Sequence, residues 1–219
     1  MPVIRSVHIE NSDYEKVYAF MQNYTAKRNS FDFDYIITTE HKPIYTMGPN
    51  SDSNDILSKV DHIPFFKTNR GGKITYHGPG QLVIYTLFDL KRLGIKVHDL
   101  IDAFEYAMID LLQSLNLEGR LDPQNRGIYI NNNKIASLGI RVSRGCSYHG
   151  IAINVETDLT NFDRINPCGL QTVKMQNLGV YSKLTLKEVK NSYLSFFYKR
   201  ISTMSSEPID ICTQSDKIL

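Results

Sequence analysis

The chain has 219 residues, 42% of them hydrophobic and 22% charged, with 25 Lys and Arg set against 23 Asp and Glu for a net charge of +2. That composition is globular, and its near-neutral balance, with no basic run interleaved with aromatics, gives no case for a nucleic-acid partner. The start MPVIRSVHIENSDYEK lacks the apolar core of a signal peptide, no apolar run is long enough to span a bilayer, and Cys146, Cys168 and Cys212 show no disulfide-framework spacing, so the expectation is a cytoplasmic protein.

In chain order, a helix is predicted over about residues 12–27, then strands at DYIITTE (34–40) and KPIYTMG (42–48). The segment RGGKITYHGPGQ (70–81) reads as turns at Gly71-Gly72 and Gly78-Pro79-Gly80 around a short strand, KITY. QLVIYTLFDL (81–90) is apolar on both faces, as a central strand covered on both sides must be. Residues 97–117 repeat Leu100, Ile101, Phe104, Met108, Leu111, Leu112 and Leu115 at helical spacing, with Asp99, Asp102, Glu105 and Asp110 opposite. Strands follow at GIYI, KIASLGIRV and YHGIAINVE, and a last helix starts at a Thr185/Glu188 capping box and runs through Val189, Leu194, Phe197 and Ile201. Without a linker or repeat, the reading is one α/β (α+β) domain over residues 1–203, a mixed sheet flanked by helices, with 204–219 a loosely held polar tail.

Several stretches carry possible chemistry. Four glycines in RGGKITYHGPGQ let backbone amides approach a ligand, but Thr75 comes one residue too late for a nucleotide phosphate loop. Cys146 and His149 have a C-x-x-H spacing that could hold zinc with Cys168 and His77, although no second close pair supports it. Regular alternation would put Lys134 on the same side as Ala136, Leu138, Ile140 and Val142, where loss of hydration favours the neutral amine used in proton transfer; a lysine at a hairpin end can equally snorkel to water. In CSYHGIAINVE the small residues Gly150 and Ala152 lie opposite Ile151 and Ile153, which leaves room for a packed helix or an acyl chain. Cys168, between proline and glycine in INPCGL, belongs on a tight turn as either an inert or a reactive thiol.

Together RGGKITYHGPGQLVIYTLFDL, KIASLGIRVSRGCSYHGIAINVETDL and FDRINPCGL, with HKPIYTMGPN upstream, resemble in order and spacing the signature blocks of the lipoyl(octanoyl)transferases over most of residues 35–170. The resemblance implies the fold of lipoate and biotin protein ligases. It implies transfer of octanoate from acyl carrier protein, where phosphopantetheine carries it, to a lysine of lipoyl domains in 2-oxoacid dehydrogenases and the glycine cleavage H protein, with no further cofactor. Cys168 would hold an acyl-thioester, and Lys134 would be its catalytic partner. The acyl site would be lined by Arg70, Gly71, Gly72, Lys73, Ile74, Thr75, Tyr76 and His77, by a Ser137-Leu138-Gly139 turn, and by His149, Gly150, Ile151 and Ala152. Backbone N–H groups near Leu138-Gly139 or Gly169 would receive the oxyanion. Lys73 and the segment VKMQNLG (173–179) depart from the family's usual residues. Two other readings are an ATP-dependent lipoate or biotin protein ligase and a non-catalytic lipoyl-domain binding module with structural zinc.

Overall fold

The computed structural model describes residues 2–58, 62–122, 125–167 and 173–213. In chain order it has β1 (Val3–Ser12), α1 (Tyr14–Lys27), β2 (Asp34–His41), β3 (Ile44–Met47), β4 (Phe65–Lys67), β5 (Ile74–His77), β6 (Gln81–Leu87), α2 (Leu90–Leu93) and α3 (Val97–Ser114). These are followed by β7 (Gly119–Leu121), β8 (Gly127–Ile130), β9 (Asn133–Ser143), β10 (Cys146–Asn154), β11 (Lys174–Met175), α4 (Leu186–Met204) and β12 (Asp210–Thr213). The large sheet runs β12-β1-β2-β6-β10-β9-β8-β7, with β11 added to β9, and a small sheet runs β4-β3-β5. Both sheets mix parallel and antiparallel pairs.

β6 explains the arrangement. All seven of its residues are buried, and they sort by alternation: Leu82 and Ile84 join the core under α3 and α4, whereas Val83, Tyr85 and Leu87 join the core under α1. The apolar stripe of α3 meets that of α4, and the rings of Phe104 and Phe197 sit 4.8 Å apart, a contact whose truncation typically costs about 3–5 kcal/mol. Helix ends follow local chemistry. Asp13 accepts the Glu15 N–H at 3.0 Å to start α1, and Thr185 and Glu188 form the predicted capping box of α4.

Neighbouring strands at one edge of the large sheet, β1 and β12, have no counterpart in the sequence reading, nor do the short strands β4, β7 and β11. β1 pairs in parallel with β2 on one side and with β12 on the other, so Asp210–Thr213, within the stretch read as a polar tail, extends the sheet. Among the described residues no helix is long and apolar enough to cross a membrane.

Candidate active site

A cleft of about 530 Å³ opens where the 70–75 segment passes over β9 and β10, a size suited to a small ligand. The passage depends on a missing side chain. A Cβ on Gly139 would lie 2.8 Å from the Gly71 carbonyl oxygen, and the Gly71 N–H donates to the Ile140 carbonyl at 3.3 Å. Gly139→Ala is therefore expected to lose about 1–3 kcal/mol of stability by overpacking, seen as a lowered urea midpoint; an unchanged midpoint would mean the 70–73 segment is not held against β9 here.

Arg70 anchors the segment from inside. Its Nε and Nη2 donate to Thr46 Oγ1 at 3.0 and 2.9 Å, Nη2 to the Thr46 carbonyl at 2.6 Å, and Nη1 to the Gly71 carbonyl at 3.0 Å. No carboxylate pairs with it among the described residues, and burial lowers its hold on its proton. Lys73 is half-exposed and pairs with Asp55 at 3.0 Å.

Lys134 reaches the cleft by a route the alternation rule does not give. Tyr129 lies opposite Lys134 and Ile128 opposite Ala136, so Ile135 is an extra residue in β9, a bulge. Ile135 and Ala136 both enter the core under α3, and Lys134, 3% exposed, joins the cleft wall instead of sharing a face with Ala136. Its Nζ donates to the Arg126 carbonyl at 3.0 Å and to Asn125 Oδ1 at 3.3 Å, and lies 5.4 Å from the centre of the Tyr129 ring. The absent side chain of Gly127 is the space it occupies, since a Cβ there would be 2.6 Å from Lys134 Cε.

Three histidines crowd the inner end. His41 bonds Ser12 Oγ at 2.8 Å and the Tyr85 hydroxyl at 2.7 Å. Gln81 donates its amide to the Tyr76 carbonyl and to Asn154 Oδ1, so its oxygen faces His77 Nδ1 at 2.7 Å and fixes the proton on that nitrogen. His149 adopts φ +65° and packs among Tyr18, Tyr85 and Tyr148; its Nε2 meets Asn69 Oδ1 at 3.1 Å, and its buried Nδ1 has no hydrogen-bond partner among the described residues. Burial pushes His41 down to about 4 and His77 and His149 down to about 3, with Arg70 adding to the effect on the last two. At neutral pH all three are uncharged.

Of the residues singled out from sequence, Arg70 through Thr75, His77, Lys134, Ser137, Leu138, Gly139, His149, Gly150, Ile151 and Ala152 line the cleft. Tyr76 does not: β5 turns it away, against Tyr45 and Phe162 at ring distances of 5.5 and 5.7 Å. Ser137-Leu138-Gly139 is the middle of β9, paired with β10, and not a turn. Cys146 and His149 belong to no group of three or more His, Cys, Asp or Glu side chains that could hold a metal ion among the described residues. Cys168 and Gly169 lie outside the described residues. Their neighbours do not: Pro167 lines the cleft, Met175 pairs with Lys134, and the Gln176 N–H donates to the Lys134 carbonyl at 2.9 Å. Tyr14, Tyr85, Ile101, Asn125 and Arg126 also line the cleft; the sequence reading missed them because α1, β6, α3 and the loop before β8 reach it only through tertiary packing.

A sequence model of the lipoyl protein ligase A/B catalytic domain matches residues 13–198. An octanoyltransferase of Methylococcus capsulatus is 46% identical over 176 residues, 79% of this chain and 84% of the relative. One of Chromobacterium violaceum is 41% identical over 199 residues, 90% and 95% of the two chains. Among solved structures, a lipoate-protein ligase A bound with ATP superposes with a TM-score of 0.80 at 16% identity, covering 100% of this chain and 90% of the other. A biotin protein ligase from Aquifex aeolicus in complex with biotin and ATP reaches 0.54 at 12% identity, covering 94% and 73%. At those identities the structural likeness speaks to the fold alone.

Proposed function

The chain belongs to the lipoyl protein ligase A/B catalytic-domain family, and from that premise we propose that it is an octanoyltransferase that moves octanoate from acyl carrier protein to a lysine of a lipoyl domain through a thioester on Cys168. The observation that carries the reading is the placing of Lys134: a buried lysine on the cleft wall, with chain from either side of Cys168 reaching that wall at Pro167 and Met175.

A thiol with an ordinary pKa near 8.5 is only a few per cent thiolate at pH 7, and a neighbouring lysine raises that fraction. The Cys168 thiolate attacks the donor carbonyl; a new C–S bond forms, the donor C–S bond breaks, and the departing carrier thiolate takes the proton of the Lys134 ammonium, which leaves Lys134 as the neutral amine for the second step. The acceptor lysine amine then attacks the acyl-enzyme, a C–N bond forms, Cys168 leaves as thiolate, and Lys134 receives the amine's proton. Exchange of one thioester for another is nearly balanced, and amide formation runs downhill, so the transfer needs no nucleotide. The cleft's mostly apolar lining, with Val83, Ile101 and Ala152, suits an acyl chain.

Incubation with octanoyl carrier protein followed by intact-mass spectrometry is expected to show one octanoyl adduct, mapped to Cys168 and absent from Cys168→Ser. Lipoyl-domain product made from free octanoate and ATP without a carrier-bound donor would favour an adenylating ligase instead, and near-normal transfer by Cys168→Ala would end the covalent route.

A further inference from the structure

The proposed reaction makes no use of Lys73 or of the loop at 52–58, yet both bear on the cleft. Lys73 lines it from the 70–75 segment and pairs with Asp55 at 3.0 Å. Asp55 closes a short 3-10 turn, Ser53–Asp55, and is only 4% exposed. Both of its carboxylate oxygens are used: Oδ1 accepts from Lys73 Nζ, and Oδ2 from the Asp52 N–H at 2.8 Å. The main chain of the same loop holds a second segment. The Asp55 carbonyl accepts the Asn166 N–H at 2.7 Å, Ile56 bridges Ile165, and the Leu57 N–H donates to the Arg164 carbonyl at 2.9 Å. Pro167 lines the cleft and has no N–H, so the Asn166 N–H is the last main-chain donor that can fix this stretch before it reaches the cleft wall.

We propose, resting on the octanoyl-transfer reading, that Asp55 is a positioning residue that sets the distance between two sides of the cleft, the 70–75 segment at Lys73 and the wall at Pro167. It grips the first side by its carboxylate and the second by its carbonyl, and the Oδ2 bond to Asp52 keeps the turn that joins the two grips. The grip depends on charge. A carboxylate this buried needs its cation, and without the Lys73 ammonium, hydration draws it toward water. The turn then shifts and takes Asn166 with it. Displacing a reacting site by about 1 Å can cost about 100-fold in rate, so a residue outside the cleft lining reaches the chemistry through spacing alone.

Lys73→Met keeps an unbranched side chain of similar length and removes the ammonium. Single-turnover acylation by saturating octanoyl carrier protein, followed by intact mass, is expected to slow about tenfold or more in Lys73→Met, with the steady-state loss falling in kcat and not in KM. Asp55→Ala is expected to slow it at least as far, and the double variant Asp55→Ala/Lys73→Met no further than Asp55→Ala alone, because both act through one contact. Alkylation of Cys168 by iodoacetamide, a reagent too small to need the two sides in register, is expected to stay within about twofold of the parent in each variant. Acylation by Lys73→Met within about threefold of the parent, a loss confined to KM, or alkylation falling in step with acylation would overturn the proposal, as would a double-variant loss equal to the product of the single ones. Lys73 is half-exposed, so its variant carries the test should Asp55→Ala fail to fold. The parent protein is the control for the underlying reading: no adduct in the parent sinks octanoyl transfer itself, whereas a normal parent adduct with an equally fast Lys73→Met sinks only the role of Asp55.

Discussion

Lys134→Ala is expected to cut octanoyl transfer about 100- to 10,000-fold and to move the pH midpoint for alkylation of Cys168 upward. The size of the effect follows from how completely Lys134 is held. It is 3% exposed, bonded to Asn125 Oδ1 and the Arg126 carbonyl, and fitted into the space left by Gly127. A positive group beside a thiol favours the thiolate, so its removal returns the cysteine toward its ordinary range. Lys134→Arg is not expected to rescue activity, because a planar guanidinium needs width that the closeness of Gly127 to Lys134 Cε denies it. Iodoacetamide rates against pH test the activating role apart from turnover: an unchanged profile in Lys134→Ala would remove that role even if transfer fell.

The parts of this molecule legible in the sequence are those set by local pattern. The two buried faces of β6, the stripe of α3 and the capping box of α4 each follow from residues within one or two turns or strand repeats of each other. β1 was not legible because VIRSVHIENS mixes polar and apolar positions and becomes a strand only by pairing in parallel with β2 and β12, which are distant in sequence. The position of Lys134 depends on one extra residue in β9, and period-two counting puts it on the wrong face. His149 shows the same limit: a positive φ, unusual for a non-glycine residue, sets its ring beside that of its neighbour Tyr148, 4.9 Å away, where strict alternation would separate the two. The candidate site was therefore readable as a set of residues, through the resemblance of its motifs, but its geometry was not. A turn expected at Ser137-Leu138-Gly139 is a strand because it pairs with Gly150-Ile151-Ala152 of β10, and Gly71, 68 positions earlier than Gly139, packs against it.

Between about pH 6.5 and pH 4 the folded protein is expected to lose stability by up to about 4 kcal/mol per pH unit, the largest solution effect that the cleft's inner end implies. His41, His77 and His149 hold their protons less tightly folded, at about 4, 3 and 3, than an unfolded histidine does near 6.5. Folded pKa values lie below unfolded ones, so the unfolded chain binds more protons in this window. The contribution is complete above about 6.5 and is lost as pH falls toward the folded values. Each histidine gives a slope of about 1.4 kcal/mol per unit, and three together give the figure above. The main cause is burial, and for His77 the nearby His41 and Arg70 also oppose a second positive charge. Arg70 cannot move away, since it is tied to Thr46 and Gly71. Urea unfolding at half-unit pH steps checks the slope, and His77→Gln or His149→Gln should each reduce it by about one third. A flat free energy across this range would mean that the histidines are already protonated in the fold. The aromatic cluster around them would then have to hold charge beside Arg70, with no carboxylate in the described structure to offset it.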